Sequence, residues 1–123
     1  MLCYTGKIME IKVIQDHISL EEIKRMADEE FGDLVKAVVD INQGIMAVGG
    51  ELHADEEVAL MEQCDSKRED TWGINIYPQK SEKERIEFDS MINLKPAFGN
   101  RSRDVESEKT REKIKKIVKK IIQ

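Results

Sequence analysis

Apolar positions change their period several times along the chain, and each change marks an element. Met9, Ile11 and Val13 alternate with Glu10 and Lys12, which predicts a first strand over residues 8–14. A helix is expected next. Ser19 and Glu22 have the spacing of a capping box, and Ile18 and Ile23 take the flanking positions of a hydrophobic staple. This helix runs to about Phe31, where Gly32 supplies the left-handed residue that commonly ends one. Residues 34–41 (LVKAVVDI) are apolar on both faces and rich in β-branched side chains, the pattern of a central strand. Asn42-Gln43-Gly44 then turns the chain into a second strand over residues 45–52, forming a hairpin. Gly49-Gly50 interrupts that strand, as a structural bulge or as a place where a ligand meets the backbone. Asp55 reads as the N-cap of a second helix through about Cys64, with Glu56 and Glu57 in its first turn and Val58 and Met61 facing the core.

Two further alternating segments, TWGINIY (71–77) and IEFDSMINL (86–94), are joined by a polar stretch. Trp72, Ile74 and Ile76 share one face of the first; Ile86, Phe88, Ser90, Ile92 and Leu94 share one face of the second. An antiparallel register with Ile74 opposite Phe88 unites the two apolar sets, whereas a slip of one residue would put Phe88 and Ile92 into water. The opposite face then carries Asn75, Tyr77, Glu87, Asp89, Met91 and Asn93. After a loop over 95–104, a last helix over 107–122 places Ile114, Ile117, Val118 and Ile121 on one stripe. The order βαββαββα implies a single α+β domain over 1–123. The expected form is a two-layer sandwich: a mixed, mainly antiparallel sheet of about five strands, with three helices on one face.

Composition narrows the function classes. The 123 residues include 20 basic and 25 acidic side chains, for a net charge of -5. This gives no global field for nucleic acid or an anionic membrane. The charge is uneven: residues 107–123 hold seven Lys/Arg against two Glu, leaving -10 on the rest of the chain. That basic helix suits an acidic body beside it and has no aromatic residue to stack on bases, so no nucleic-acid partner is expected. No apolar run approaches a membrane span. Cys3 and Cys64 lack metal-type spacing and no secretory leader opens the chain, so a reduced cytoplasmic protein is expected. Abundant Ile, Glu and Lys with few aromatics fit a heat-adapted source.

If helices cover one sheet face, the chemistry lies on the other. In Glu51-Leu52-His53-Ala54-Asp55, alternate residues of an extended segment would bring two carboxylates and an imidazole together. Such a set could hold a divalent ion or act as a general base oriented by an acid. Asp55 is more simply a helix cap, which leaves Glu51 and His53 with Asp40 or Asp89 as neighbours, too few for a catalytic zinc site. No metal or cofactor is therefore expected, with Glu51, His53 and Asp55 the residues that would hold one. The loop Phe98-Gly99-Asn100-Arg101-Ser102-Arg103 offers two guanidinium forks, an amide and a hydroxyl. These could bind carboxylate or phosphate, or the arginines could pair internally with Glu87 or Asp89. Nucleophilic catalysis lacks support, because Ser90 falls on the core face and neither cysteine has a histidine near it in sequence. Trp72 shares the parity of Ile74 and Ile76 and reads as core.

The stretches GGELHADEE (49–57), WGINIYP (72–78) and INLKPAFGNRSR (92–103) resemble a family of short prokaryotic conserved hypothetical proteins known only as a domain of unknown function. The resemblance extends from about Asp33 into the last helix and is carried by Gly49, Gly50, Glu51, His53, Asp55, Trp72, Gly73, Asn75, Ile92, Asn93, Pro96, Asn100 and Arg101. Lys95 departs from the pattern, which has Arg there. The resemblance implies a self-contained protein of this size and no particular reaction.

The leading expectation is a non-catalytic domain, a homodimer, that binds a small anionic ligand or a partner through Asn75, Asn93, Asn100, Arg101 and Arg103. The alternative is a small hydrolase, with or without a metal, using His53 as base or ligand, Glu51 or Asp89 to orient it, and Arg101 on the substrate.

Overall fold

The computed structural model describes residues 10–123. The early part of the first predicted strand, and Cys3, lie outside the described residues. The elements are β1 (Lys12–Ile14), α1 (Leu20–Glu29), β2 (Val35–Asp40), β3 (Ile45–Val48), α2 (His53–Cys64), β4 (Thr71–Ile76), β5 (Ile86–Glu87) and α3 (Glu108–Ile121), in the expected order. The strands form one open sheet in the spatial order β1-β3-β2-β4-β5, with every neighbouring pair antiparallel. The fold class is α+β. Among the described residues no helix is long and apolar enough to cross a membrane.

Local signals account for much of this. Ser19 caps α1 by accepting from the Glu22 N–H at 3.0 Å. The Glu22 carboxylate turns instead to Lys12 and Arg25, so only half of the capping box forms. Gly32 has φ +95° and donates to the Ala27 carbonyl at 2.6 Å, closing the helix end. Ser107 caps α3. The β2–β3 hairpin pairs Asp40 with Ile45, and Gly44 sits at φ +72° in its turn.

One face of the sheet, with Val35, Ala37, Val39, Met46, Val48, Trp72, Ile74 and Ile76, packs under Ile23, Met26 and Ala27 of α1 and Ile114, Val118 and Ile121 of α3. Helices on a single face hold for α1 and α3 but not for α2. Val38, Ile45 and Ala47 point the other way and are covered by Leu60 of α2 and by Ile92. A strand apolar on both faces requires cover on both, and α2 supplies it. The buried side of α2 is not the expected Val58/Met61 stripe: His53, Glu56, Glu57 and Leu60 face inward, and Val58 is exposed.

The last hairpin also departs from the pattern. Asn75↔Glu87 and Ile76↔Ile86 follow the register that sets Ile74 opposite Phe88, and Phe88 packs on the main core. Yet β5 stops at Glu87. Ser90 caps a short 3₁₀ turn, Met91–Asn93, that crosses onto the α2 side. Ser90 and Ile92 therefore do not share Phe88's face, and Leu94 is only partly buried. Asn93 is the physical cause. Its Oδ1 accepts from the Gly73 N–H at 2.8 Å and its Nδ2 donates to the Gly73 carbonyl at 3.0 Å, so one amide side chain replaces a neighbouring strand.

Candidate functional site

The segment entering α2 sets up the site. Gly49 lies at φ +93°, where a Cβ would stand 2.7 Å from the Glu10 carbonyl oxygen. Gly50 faces Glu56 so closely that a Cβ would meet its Cγ at 2.8 Å, and the Gly50 N–H donates to Glu56 Oε2 at 2.8 Å. The glycine pair is thus a packing device, and the chain itself makes the close approach. The helix then begins without a side-chain cap, because Leu52 occupies the N-cap position. Asp55 is not the cap: it stands exposed in the first turn, as the third helical residue.

Glu56 itself is fully buried, and burial pushes its carboxyl well above the ordinary 4.5. The folded protein holds that proton more tightly than the unfolded chain. The stabilising contribution is therefore fully present below the unfolded pKa and is lost as pH rises through the folded one. Glu56→Gln, which cannot ionise and keeps an acceptor for Gly50, is expected to leave Tm near the parent value at pH 4 and to raise it by roughly 4–8 °C at pH 8. Equal Tm differences at the two pH values would contradict this account.

Beside the start of α2 lies a cavity of about 220 Å³ lined by Lys36, His53, Asn75, Asp89, Met91 and Arg103 among others. Three elements and a loop converge here: Lys36 comes from β2, His53 from α2, Asn75 from β4, and Asp89 and Arg103 from the chain after β5. His53 Nε2 is 2.8 Å from the Ile74 carbonyl. A carbonyl can only accept, so Nε2 carries the proton and Nδ1 the lone pair. Burial lowers the pKa of this ring below 6.5, and it is neutral at pH 7. The Asn75 Nδ2 donates to Glu87 Oε1 at 2.9 Å, and the Tyr77 hydroxyl donates to the same oxygen at 3.1 Å. Asn75 Oδ1 is buried without a hydrogen-bond partner. Arg103 Nε donates to Asp89 Oδ1 at 2.7 Å, an internal pair that leaves the outer guanidinium nitrogens for a second acceptor.

A family model described as a protein of unknown function, DUF5674, matches residues 12–121. The chain belongs to this family. No curated protein and no solved structure matches it. The matched span contains every residue that lines the cavity, so the DUF5674 domain carries this site whole.

Within this DUF5674 domain, His53, Asn75, Asp89 and Arg103 come together as the residue types suggested. Glu51, Asp55 and Arg101 do not join them: all three are exposed and lie outside the cavity lining. His53 and Asp55 sit on a helix, not an extended segment, so the alternation that would aim Glu51, His53 and Asp55 one way is lost. Among the described residues no group of three His, Cys, Asp or Glu is placed to hold a metal ion.

Asn93 and Asn100 are buried, and their amides are consumed by the backbone. Asn93 pairs with Gly73 and also donates to the Arg103 carbonyl at 2.9 Å. Asn100 Nδ2 donates to the carbonyls of Asn93, Ser102 and Asp104 at 2.7–3.1 Å, while its Oδ1 accepts from the Glu106 N–H at 2.9 Å. These two residues shape the loop and leave nothing for a ligand. Asp40, expected on the open face, is buried at the hairpin turn, accepting from the N–H groups of Asn42 and Gln43 and from the Ser66 hydroxyl.

Lys95 also points inward. Its ammonium donates to the carbonyls of Arg68 and Thr71 and sits 3.9 Å above the centre of the Trp72 ring. Burial and the neighbouring Arg68 bring its pKa from 10.5 to about 8. Lys36, the single cation within an apolar strand, is the site residue that sequence reasoning missed; its isolation in LVKAVVDI was the available signal.

Proposed function

We propose that this protein binds a small anion in the cavity at the start of α2 and performs no chemistry on it. The observation that carries the reading is the uncapped helix N-terminus flanked by two cations: Leu52 offers no side-chain acceptor, while Lys36 and Arg103 line the same cavity. First-turn N–H groups and the positive end of the helix dipole favour an anion there, and Arg103 can add a charge-assisted bond. The neutral His53 ring and the amide of Asn75 fit an oxygen-rich ligand that both accepts and donates hydrogen bonds.

Hydrolysis through His53 has less behind it. Its ring, with the lone pair on Nδ1, has no free acid in the cavity to orient it, because Asp89 is paired with Arg103, while Glu51 and Arg101 lie outside the cavity lining. A cytoplasmic homodimer is part of the proposal. Leu52 and Met91, 54% and 61% exposed at the cavity mouth, supply an apolar rim that a second copy could cover.

Titration calorimetry with inorganic phosphate, sulfate and citrate tests the reading. At least one should bind, and Lys36→Ala or Arg103→Ala should each weaken binding about tenfold, the equivalent of ~1.4 kcal/mol. Arg103 is exposed, and Lys36 is partly exposed with its ammonium 5.2 Å from the centre of the Phe31 ring, so Tm should stay within about 2 °C of the parent for Arg103→Ala and fall by no more than about 5 °C for Lys36→Ala. Arg101→Ala should leave affinity unchanged. The reading fails if none of the three anions binds, or if the Arg101 variant loses affinity while the Lys36 and Arg103 variants keep it.

A further inference from the structure

A second, larger cavity lies away from α2. It is about 460 Å³, within the usual range for small-molecule sites, and opens between α3 and the β4–β5 connection. Its floor is apolar: Val118 is buried in the main core, and Ile86 and Ile122 pack against that core from its edge. Its rim is cationic, with Lys83, Arg85, Lys115 and Lys119 set against a single carboxylate, Glu82.

Helical geometry produces this arrangement from the α3 sequence. Lys115 and Lys119 are four residues apart, as are Val118 and the C-cap residue Ile122, so two ammonium groups stand beside two apolar side chains along one side of the helix end. The β4–β5 connection supplies Lys83 and Arg85 opposite them. Four cations line the cavity with one acid, on a chain of net charge -5, and the exposed Lys115–Glu112 pair outside the lining, at 3.5 Å, offsets little of their charge. The Glu82–Lys119 contact, at 3.5 Å between side chains 67% and 74% exposed, offsets little of that charge. Arg85 adds an unmet donor: one terminal nitrogen reaches the Lys80 carbonyl at 3.3 Å, but its Nε is buried with no partner.

We infer that this cavity is a binding site for a small amphipathic anion, a carboxylate or phosphate monoester on an aliphatic body. The body lies on Ile86, Val118 and Ile122, and the head group meets Arg85, Lys115 and Lys119. An apolar floor alone would take a neutral hydrophobe, and a cationic rim alone would take any anion. Together they select a ligand that has both parts.

The test is calorimetric titration of the whole chain with decanoate below its micelle-forming concentration, with decanol and acetate as probes of each half. Decanoate should bind at least tenfold more tightly than either. The double variant Lys115→Glu/Lys119→Glu, at two exposed positions, should lose at least tenfold in decanoate affinity. Ile122→Trp should block the site without changing its charge. Arg103→Ala, in the other cavity, should have no effect, which separates this site from the one proposed above. The inference is overturned if decanoate does not bind or binds no better than decanol. It is also overturned if both sets of variants bind decanoate normally, or if the chain binds only phosphatidylglycerol vesicles and not free decanoate.

Discussion

Asn100→Ala is expected to lower the melting temperature by roughly 10–20 °C, the equivalent of about 3–4 kcal/mol for a domain of this size. One buried amide holds four backbone groups of the 93–106 segment. The carbonyls of Asn93, Ser102 and Asp104 surround Nδ2, and the Glu106 N–H reaches Oδ1. Three acceptors share the two hydrogens of one amide nitrogen, so one hydrogen is bifurcated. Alanine strands the Asn93 carbonyl in the interior and loosens three part-buried groups of the same loop at once, and each unmet buried polar group costs about 1–3 kcal/mol before relaxation. Asn100→Asp should be no better, since it keeps the acceptor but sets a carboxylate against three carbonyl oxygens. Thermal unfolding followed by circular dichroism checks both variants. A Tm within about 3 °C of the parent would mean that Asn100 is free for another role.

Gly73→Ala should cost about 2–4 kcal/mol for a different reason, overpacking at a point where the backbone cannot yield. A Cβ there would lie 2.5 Å from both Cβ and Oγ of Ser90 and 3.1 Å from Ile92 Cγ1. Gly73 cannot shift away, because Asn93 holds its N–H and its carbonyl together. The loss should extend to ligand binding, since Ser90, Met91 and Ile92 form one wall of the α2 cavity. Adding Ser90→Gly should restore at least half of the lost stability in denaturant unfolding. A single variant as stable as the parent, or a double variant with no recovery, would contradict the packing account.

What could be read from the sequence was local. Ser19 acts within its own helix end, Gly32 closes a helix through its left-handed backbone, and the hairpin turn sits where Asn42-Gln43-Gly44 indicated. The register of β4 against β5 followed from keeping Phe88 in the core. What could not be read depended on contacts distant in sequence. Nothing near Asn93 signals that it will stand in for a strand beside Gly73, so the alternation of residues 86–94 predicts a strand where the chain turns. On α2, Glu56 and Glu57 read only as acids in the first turn, yet Gly50, Arg68 and Thr71 give them partners in the interior.

The same limit divided the candidate site. Asn75 and Asp89 follow from sheet parity, whereas His53 and Arg103 follow from residue type, since one sits on a helix and the other in a loop. Asn93 and Asn100 offered the same amide chemistry, but an amide that binds a ligand and an amide that pins a loop are indistinguishable in sequence. Of the two open readings for the arginine loop, Arg103 follows the internal pairing with Asp89, and Arg101 stands in solvent with its backbone N–H donating to Glu106.

The central claim is that the uncapped start of α2, between Lys36 and Arg103, receives an anion. Titration of ¹⁵N-labelled protein with inorganic phosphate, followed by ¹H–¹⁵N correlation spectra, tests it most directly. The account expects the backbone amides of His53 and Ala54 to shift first and to saturate together with the Arg103 side-chain signal. Phosphate that leaves those amides unmoved, or that shifts only the signals around Arg101, would contradict it.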